Sequence, residues 1–513
     1  MKCMYNKRFL AALLATILTC GSFIGCTTDP ATDTSKDSVH PDTAETDPTS
    51  ETEGELEYQK MTFLERIRSA NAEIPDGLPE YNGEDSTFII GGLTSYGVSY
   101  FDEEGLIGES LNDAKFYQML SIEERFGFRF ELQARTSADY LEALNAFKQL
   151  VMAQDTSSMH LYRIWNTSSA ELVASGAFHE LSGLENIDTS KPWYFEDEMK
   201  SYGLKGKYWV ATGFMDASDV VNNVACIFFN KDLAEQYSIS DDFYQVVRDG
   251  NWTLDYFYNI MSSFYHDADG DGQRSKDDIY GGHMGAYPLS IYFLPCLDVP
   301  QMYLENDEAK FTVFENAEQA EKVWNKLKGI YKDPAQIEVH WNKDEYELIP
   351  SWEKGRALFY TEKIGEVETM RDYNFEIGIL PVFKLDETQQ DYYSNYLPNP
   401  FAIPSFVENP EISALVMSAM AAEGYKQVLP VAYEKVIKYK YANDEDSGEM
   451  IDLMMKNVKG DAMFAYGDSM YIYNLMFYIC DDTAEFASYW AQKRSSVENR
   501  AEEYYQMYEK LIK

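Results

Sequence analysis

Apolar positions along this chain recur at two spacings, and the change from one to the other outlines the elements. Thr87 to Ile90 is a short apolar run ended by Gly91 and Gly92, the pattern of a buried strand. Leu111 to Phe126 keeps helical spacing. A strand (Phe128 to Leu132), a helix (Ala138 to Ala153) and a third strand (His160 to Trp165) follow. Strands alternating with helices of this length imply βαβ units and a mostly parallel sheet. Leu181 to Lys200 is irregular, and Tyr208 to Val210 reads as a further short strand. Val221 to Phe229 is an apolar strand that runs into a helix at Asn230 to Leu233. Asn251 to Thr253 then caps a helix whose Leu254, Phe257, Ile260, Met261 and Phe264 lie on one face. A helix is expected over Ala317 to Tyr331. Trp352 to Tyr360 reads as a helix end, a glycine and a strand. Phe375 to Pro381 and Phe401 to Pro404 read as strands. From Glu411 onward the pattern is helical, interrupted near Asn443 to Glu449 and at Gly460.

Ahead of this body the chain is not patterned to fold. Lys7 and Arg8 precede an apolar run, Phe9 to Leu18, that is too short to span a bilayer, and the small residues after it lead to FIGC at 23–26. A cysteine directly after a small residue, at the end of a short apolar segment, resembles a bacterial lipobox. Residues 1–26 are therefore expected to be a lipoprotein signal, with Cys26 the lipidated residue and an ordinary secretory signal the alternative. Residues 27–57 are Thr, Ser, Asp, Pro and Glu with almost nothing apolar, so they cannot bury enough surface to fold. Together with a transition that holds a short helix at Met61 to Ser69, they make residues 27–85 a tether and linker.

Composition narrows the classes. A net charge of -43 over 513 residues repels phosphates and argues against nucleic acid as a partner. The acidity is spread along the chain, as on the solvating surface of an extracellular protein. Of six cysteines, Cys3 and Cys20 leave with the signal and Cys26 takes the lipid; Cys226, Cys296 and Cys480 remain as buried packing residues. Patterns for a nucleophile elbow, a zinc protease or a P-loop are absent, and the six histidines have no metal spacing. No enzymatic role is expected.

One stretch carries a ligand pattern of its own. Residues 267–278 read DADGDGQRSKDD, with Asp267, Asp269 and Asp271 at loop positions one, three and five, Gly272 at six, and Asp278 at twelve. Ca²⁺ seeks six to eight oxygens, and alternating carboxylates on a tight loop supply them when a glycine permits the turn. Position seven would use the Gln273 carbonyl. The expectation is a structural calcium site made by Asp267, Asp269, Asp271, Gln273 and Asp278; the alternative is a solvated acidic turn.

Several landmarks, in order, resemble the extracellular solute-binding proteins of carbohydrate ABC importers, the branch related to maltose-binding protein. LNDA at 111–114 with IEERFG at 122–127 is similar to the first helix of Gram-positive members. FFNKDL at 228–233 is similar to the step into the second lobe, and NWT at 251–253 to the start of the next helix. GRALF at 355–359 resembles the segment before a ligand strand. FEIGILP at 375–381 with FAIP at 401–404 resembles the return crossing. DDIYG at 277–281 resembles the end of similar acidic loops in Gram-positive members. The resemblance covers roughly residues 86–513.

It implies an α/β, two-lobed, periplasmic-binding-protein-like type II fold with hinge crossings and a mostly helical C-terminal part. Lobe 1 would take 86–220, lobe 2 with the acidic loop 221–378, and 379–513 would return to lobe 1 and supply helices shared by both lobes. It also implies a monomer that captures a carbohydrate, expected to be an oligosaccharide, between the lobes and delivers it to the transmembrane subunits of a permease, on the outer face of a cell membrane. Alternatives are a surface glycan-interacting or adhesion scaffold and, behind that, a glycosidase. Sugars present apolar ring faces rimmed with hydroxyls, so their pockets combine flat aromatics with polar side chains. By motif position the candidate ligand contacts are Trp165, Asn166, Asn222, Asn223, Tyr292, Phe293, Tyr360, Glu362, Lys363, Tyr392 and Tyr393. Each aromatic, considered alone, is more often core than contact.

Overall fold

The computed structural model describes residues 74–93, 106, 108–135, 140–275, 277–285, 293–299, 302–305, 308–311, 315–339, 350–397, 399–440, 445–461, 465–466 and 485–513, all within one compact unit, Tyr58–Lys513. The expected signal, Cys26, the tether as far as residue 73, Tyr292 and Cys480 lie outside the described residues.

The first sheet is built by β1 (Ser86–Leu93), α1 (Ser110–Phe126), β2 (Phe128–Arg135), α2 (Tyr140–Ala153) and β3 (Leu161–Arg163). β1 pairs with β2 and with β3 in parallel, as the alternation of strand and helix requires. Gly127 ends α1 at φ 65°, a left-handed cap that turns the chain straight into β2. Two short helices, α3 (Ser169–Ala174) and α4 (Glu196–Ser201), follow in the irregular stretch.

A run of apolar residues does not by itself define a strand, and at residue 221 the two readings part. Asp216 accepts a hydrogen bond from the Asp219 amide and caps α5 (Ala217–Asn222), so the expected strand from Val221 begins only at β4 (Ala225–Asn230). Tyr208 to Val210 likewise form no strand; an isolated bridge joins Ala211 to Phe401. After β4 come α6 (Leu254–Ser263), β5 (Tyr280–Gly285), α7 (Phe293–Cys296), a separate hairpin of β6 (Met302–Glu305) and β7 (Glu308–Phe311), α8 (Ala317–Lys332), β8 (Gln336–Val339), β9 (Ala357–Lys363) and β10 (Ile377–Leu380). The second sheet runs β10-β4-β9-β5-β8, with β5, β8 and β9 parallel and β4 antiparallel to both neighbours. Thr253 caps α6 by accepting from the Tyr256 amide at 3.3 Å, worth about 1 kcal/mol. The helix buries Leu254, Phe257 and Met261.

The chain then returns. After β11 (Ser394–Asn395), β12 (Phe401–Ala402) joins the first sheet antiparallel to β3, giving the order β12-β3-β1-β2. Helices α9 (Pro410–Glu423), α10 (Leu429–Lys440) and α11 (Glu445–Lys456), the short β13 (Val458–Lys459) and α12 (Phe486–Ile512) complete the described part. α10 packs against α1 of the first lobe and against the turn at 364–370 of the second, and α12 against both α3 and α8. The result is the expected mixed α/β, two-lobed fold: two sheets joined by crossings and clasped by C-terminal helices. Cys226 and Cys296 are buried, as packing residues should be.

Candidate functional site

The carboxyl ends of the two sheets are brought together by the crossings. β3 ends in Arg163, and the Ile164 amide donates to the Pro400 carbonyl at 2.8 Å, which holds the end of the second crossing beside it. On the other side Lys363, the last residue of β9, pairs with Ala225 at the start of β4, and the Ile364 amide donates to the Val224 carbonyl at 2.8 Å. Between these edges lies α5. Ligands of open α/β sheets sit beyond the carboxyl ends of strands, so this junction is the place for one.

Six of the sequence-derived candidates lie at or next to the ends of the elements that border this junction. Trp165 is half-buried and Asn166 is 3% exposed, at the end of β3. Asn222 and Asn223 end α5; the Asn223 side-chain amide donates to Asp219 Oδ1 at 2.6 Å and to its carbonyl at 2.9 Å. Glu362 and Lys363 end β9. Burial pushes the Glu362 carboxyl up to about 7, although the Lys363 amide at 3.1 Å and the Lys363 charge draw it back.

The remaining candidates are placed elsewhere. Tyr360 lies deeper in β9, stacked on Trp352 at 5.3 Å and on Phe228 at 6.1 Å; burial first, then the Glu362 charge, drives its hydroxyl pKa upward. Phe293 is 1% exposed and packs edge-on against Phe383 at 5.3 Å, so it is core and not a cleft residue. Tyr392 is also core: its hydroxyl accepts from the Trp252 amide at 3.2 Å, and Lys384 lies 5.1 Å over its ring. Tyr393 is half-buried, with the Lys459 ammonium over its ring. These aromatics lie at depths in the fold that motif order alone does not reveal.

What motif order missed is a buried ion cluster under the junction. The Arg163 guanidinium donates to Asp216 Oδ2 at 2.7 Å and to Asp219 Oδ2 at 2.8 Å, with side chains 2%, 5% and 8% exposed. Burial is the largest influence on both carboxyls and raises them. At Asp216 the Arg163 and Lys115 charges and the hydrogen bonds from Ser218 and the Asp219 amide together outweigh it; at Asp219 burial, joined by the Asp216 charge, prevails over Arg163. Asn223, held by Asp219, is positioned through this cluster. A cavity of about 10 Å³ lies against it, lined also by Thr212, Tyr396 and Asn399. The signal was in the sequence: an arginine inside the apolar run at 161–165 needs buried carboxylates.

In the acidic loop Asp267, Asp269 and Asp271 each offer a carboxylate oxygen within 4.8 Å of the others, at an exposed position. The loop is turned by its own backbone: Gly270 and Gly272 amides donate to Asp267 at 2.7 and 2.8 Å, and the Gln273 amide donates to Asp271 at 2.7 Å. The Asp271 amide draws the Asp269 pKa down, yet desolvation and the adjacent carboxylates leave it raised. Asp278 stands apart from this trio. It is 0% exposed and accepts from the Ala268 and Ser275 amides and the Tyr265 hydroxyl, closing the loop from inside. A crowded, exposed set of three carboxylates fits a hard divalent cation.

No family profile matches the chain, and no curated protein matches it in sequence. Solved structures do match. The galacto-N-biose-/lacto-N-biose I-binding protein of a Bifidobacterium longum ABC transporter aligns at TM-score 0.52 and 9% identity, covering 82% of this chain and 98% of that one. UspC of M. tuberculosis aligns at TM-score 0.51 and 14% identity, over 81% and 100% of the two chains. A family 1 extracellular solute-binding protein of Bifidobacterium longum subsp. infantis aligns at TM-score 0.51 and 12% identity, over 79% and 97%. The fold is that of these two-lobed binding proteins. Among the described residues, no helix is long and apolar enough to cross a membrane.

Proposed function

We propose that this chain is a substrate-binding protein that captures a carbohydrate, in particular an oligosaccharide, between its lobes and delivers it to the transmembrane subunits of an ABC permease. The observation that carries the reading is that Asp219, on the first crossing, meets Arg163 from the end of β3 and Asn223, and feels the Lys363 charge from the end of β9, so that the ends of both sheets adjoin there; Trp165, Asn166, Asn222, Asn223, Glu362 and Lys363 are the candidate contacts. A half-buried indole together with amide and ionisable side chains at neighbouring element ends has the makings of a sugar site. The structural neighbours include a protein complexed with maltotetraose and one complexed with lacto-N-biose, and both support this class of ligand. The protein binds without turnover and acts as a monomer. Cys26 carries the lipid, and the chain from residue 27 to residue 73 tethers the lobes to the outer face of the membrane; the expected linker at 74–85 is instead packed on the first lobe, where Ile74, Leu78 and Tyr81 meet its core.

A thermal-shift screen of the protein against neutral sugars and oligosaccharides tests the reading. A concentration-dependent rise with one glycan class, with that glycan recovered intact, is expected. Cleavage of the glycan would replace it with a glycosidase; silence across the panel in folded protein would favour a surface scaffold.

Calcium at Asp267, Asp269 and Asp271, with the Gln273 carbonyl and Asp278 completing the loop, is part of the same proposal and has a structural role. When bound, the ion supplies only charge and a fixed loop. Chelation is expected to lower the melting temperature by mass action, and Asp267→Ala to reproduce the effect. Equal melting temperatures with and without chelator would remove the ion. Sugar affinity is expected to change little on chelation.

A further inference from the structure

The ion cluster at Arg163 continues into a second buried group that sugar binding does not use. Glu198, on α4 of the first lobe, is 7% exposed. Its carboxylate accepts from the Tyr396 hydroxyl at 2.8 Å and from the Tyr202 hydroxyl at 3.0 Å. Asp461, 1% exposed, adds its charge to the same place. Gly460 has no side chain because Glu198 occupies the space: a Cβ there would stand 2.4 Å from the Glu198 carboxyl. Thr212 faces both Glu198 and the small cavity, and Tyr396 lines that cavity together with Arg163, Asp216 and Asp219.

Three segments that pass between the lobes contribute to this group. Asp216 and Asp219 belong to the first crossing. Tyr396 belongs to the second, between β10 of one sheet and β12 of the other. Asp461 follows α11, which packs on β10 of the second lobe, and it arrives at Glu198 of the first. Two hydrogen bonds tie the second and third segments directly beside Glu198: the Ser394 amide donates to the Asn457 carbonyl at 3.0 Å, and the Tyr396 amide to the Lys459 carbonyl at 3.3 Å. Movement of one lobe against the other must deform this node.

We propose that the node is a proton-linked latch, in which a proton held at Glu198 keeps the three crossings packed and its loss loosens them. The reason is electrostatic. Four buried carboxyl groups, Glu198, Asp216, Asp219 and Asp461, share the site with the Arg163 guanidinium, which is already engaged by two of them. Lys115 also acts on Asp216, and Lys363 on Asp219. Tyr202, Tyr396 and Tyr466 surround Glu198 and Asp461 with phenols that remain neutral. A second or third ionised carboxylate in a dry site is costly unless water enters, and water enters when the crossings separate. Burial, opposed by the two phenol hydrogen bonds, pushes the Glu198 carboxyl up to about 7, so its proton is exchanged in the neutral range. The proposal rests on the two-lobed architecture and not on the identity of the ligand, and its test uses none.

The test is amide hydrogen exchange of the full chain at pH 6 and pH 8, corrected for the intrinsic rate, read at Ser394 and Tyr396. Protection in the wild type is expected to fall by roughly tenfold over that range. In Glu198→Gln, which keeps an acceptor for one tyrosine and is permanently uncharged, it is expected to stay high and flat. Protection that is independent of pH in the wild type, or that falls equally in Glu198→Gln, overturns the latch. Should Glu198→Gln not fold, a carbon-13 titration of the wild-type Glu198 carboxyl decides. A midpoint near neutrality supports the proposal, and one in the ordinary carboxylate range overturns it. Loss of sugar binding with the latch intact would count only against the ligand.

Discussion

Arg163 shows at the scale of one residue how a charge is tolerated in a core. It sits in a three-residue strand between Tyr162 and Ile164, both buried, and its planar fork meets Asp216 on one arm and Asp219 on the other. Such a pair adds little stability over an apolar replacement of the whole group, but removing one partner strands the others. Arg163→Met is therefore expected to cost about 3–5 kcal/mol in urea unfolding, far more than removal of an exposed pair such as Arg500–Glu503. Glu198 works in the opposite sense. Its carboxyl is raised from 4.5 to about 7 on folding. Its protonated form therefore contributes stability that is fully present below about 4.5 and lost as the pH rises through about 7, a change of up to ~3 kcal/mol. Melting curves between pH 5 and pH 8 should show a decline that Glu198→Gln reduces.

At the scale of elements, the first crossing is tightly constrained. Gly213 opens it with φ 150°, and a Cβ there would stand 2.1 Å from the Trp193 carbonyl oxygen. Backbone atoms cannot give way as a flexible side chain can. Gly213→Ala is expected to lower the melting temperature by several degrees and to displace α5, so that Asn222 and Asn223 lose their positions. An unchanged melting temperature would mean the crossing is softer than its geometry implies. The acidic loop is an element of another kind. It is closed by hydrogen bonds of its own backbone to Asp267, Asp271 and Asp278, so it holds its turn before any ion binds. Removal of calcium is accordingly expected to lower stability without unfolding the lobe.

For the whole molecule, the sheets, the crossings and the clasping helices make two lobes with the proposed ligand site at their junction. If a sugar fills the junction, the lobes should approach each other, since contacts from both sheet edges are available only when they are near. Small-angle scattering with and without a glycan identified by thermal shift is expected to show a smaller radius of gyration in the bound state. An unchanged radius would indicate binding to one lobe alone. The helices α10 and α12 touch both lobes, so they must slide or bend in that motion.

Much of the fold was legible along the chain because its information is local. Helical spacing from Leu111 to Phe126, the Thr253 cap and the strand after Gly355 follow from periodicity and cap chemistry and are found, the strand running past the expected Tyr360 to Lys363. Where local signals conflicted, as at Val221, a single capping aspartate decided for helix. The site was legible only in part. A strand end drew attention to Trp165 and Asn166, and the motif at Gly355 to Glu362 and Lys363, because both are positions along the sequence. Whether an aromatic there reaches the junction or the core depends on depth, and depth is set by packing: Phe293 and Tyr392 went to the core. The Arg163 cluster and the Glu198 node required the tertiary structure most of all. Their members lie 53 residues apart for Arg163 and Asp216 and 198 apart for Glu198 and Tyr396. No periodicity links such positions. The sequence by itself determined the elements and the acidic loop; folding alone brought the three crossings to one buried carboxylate.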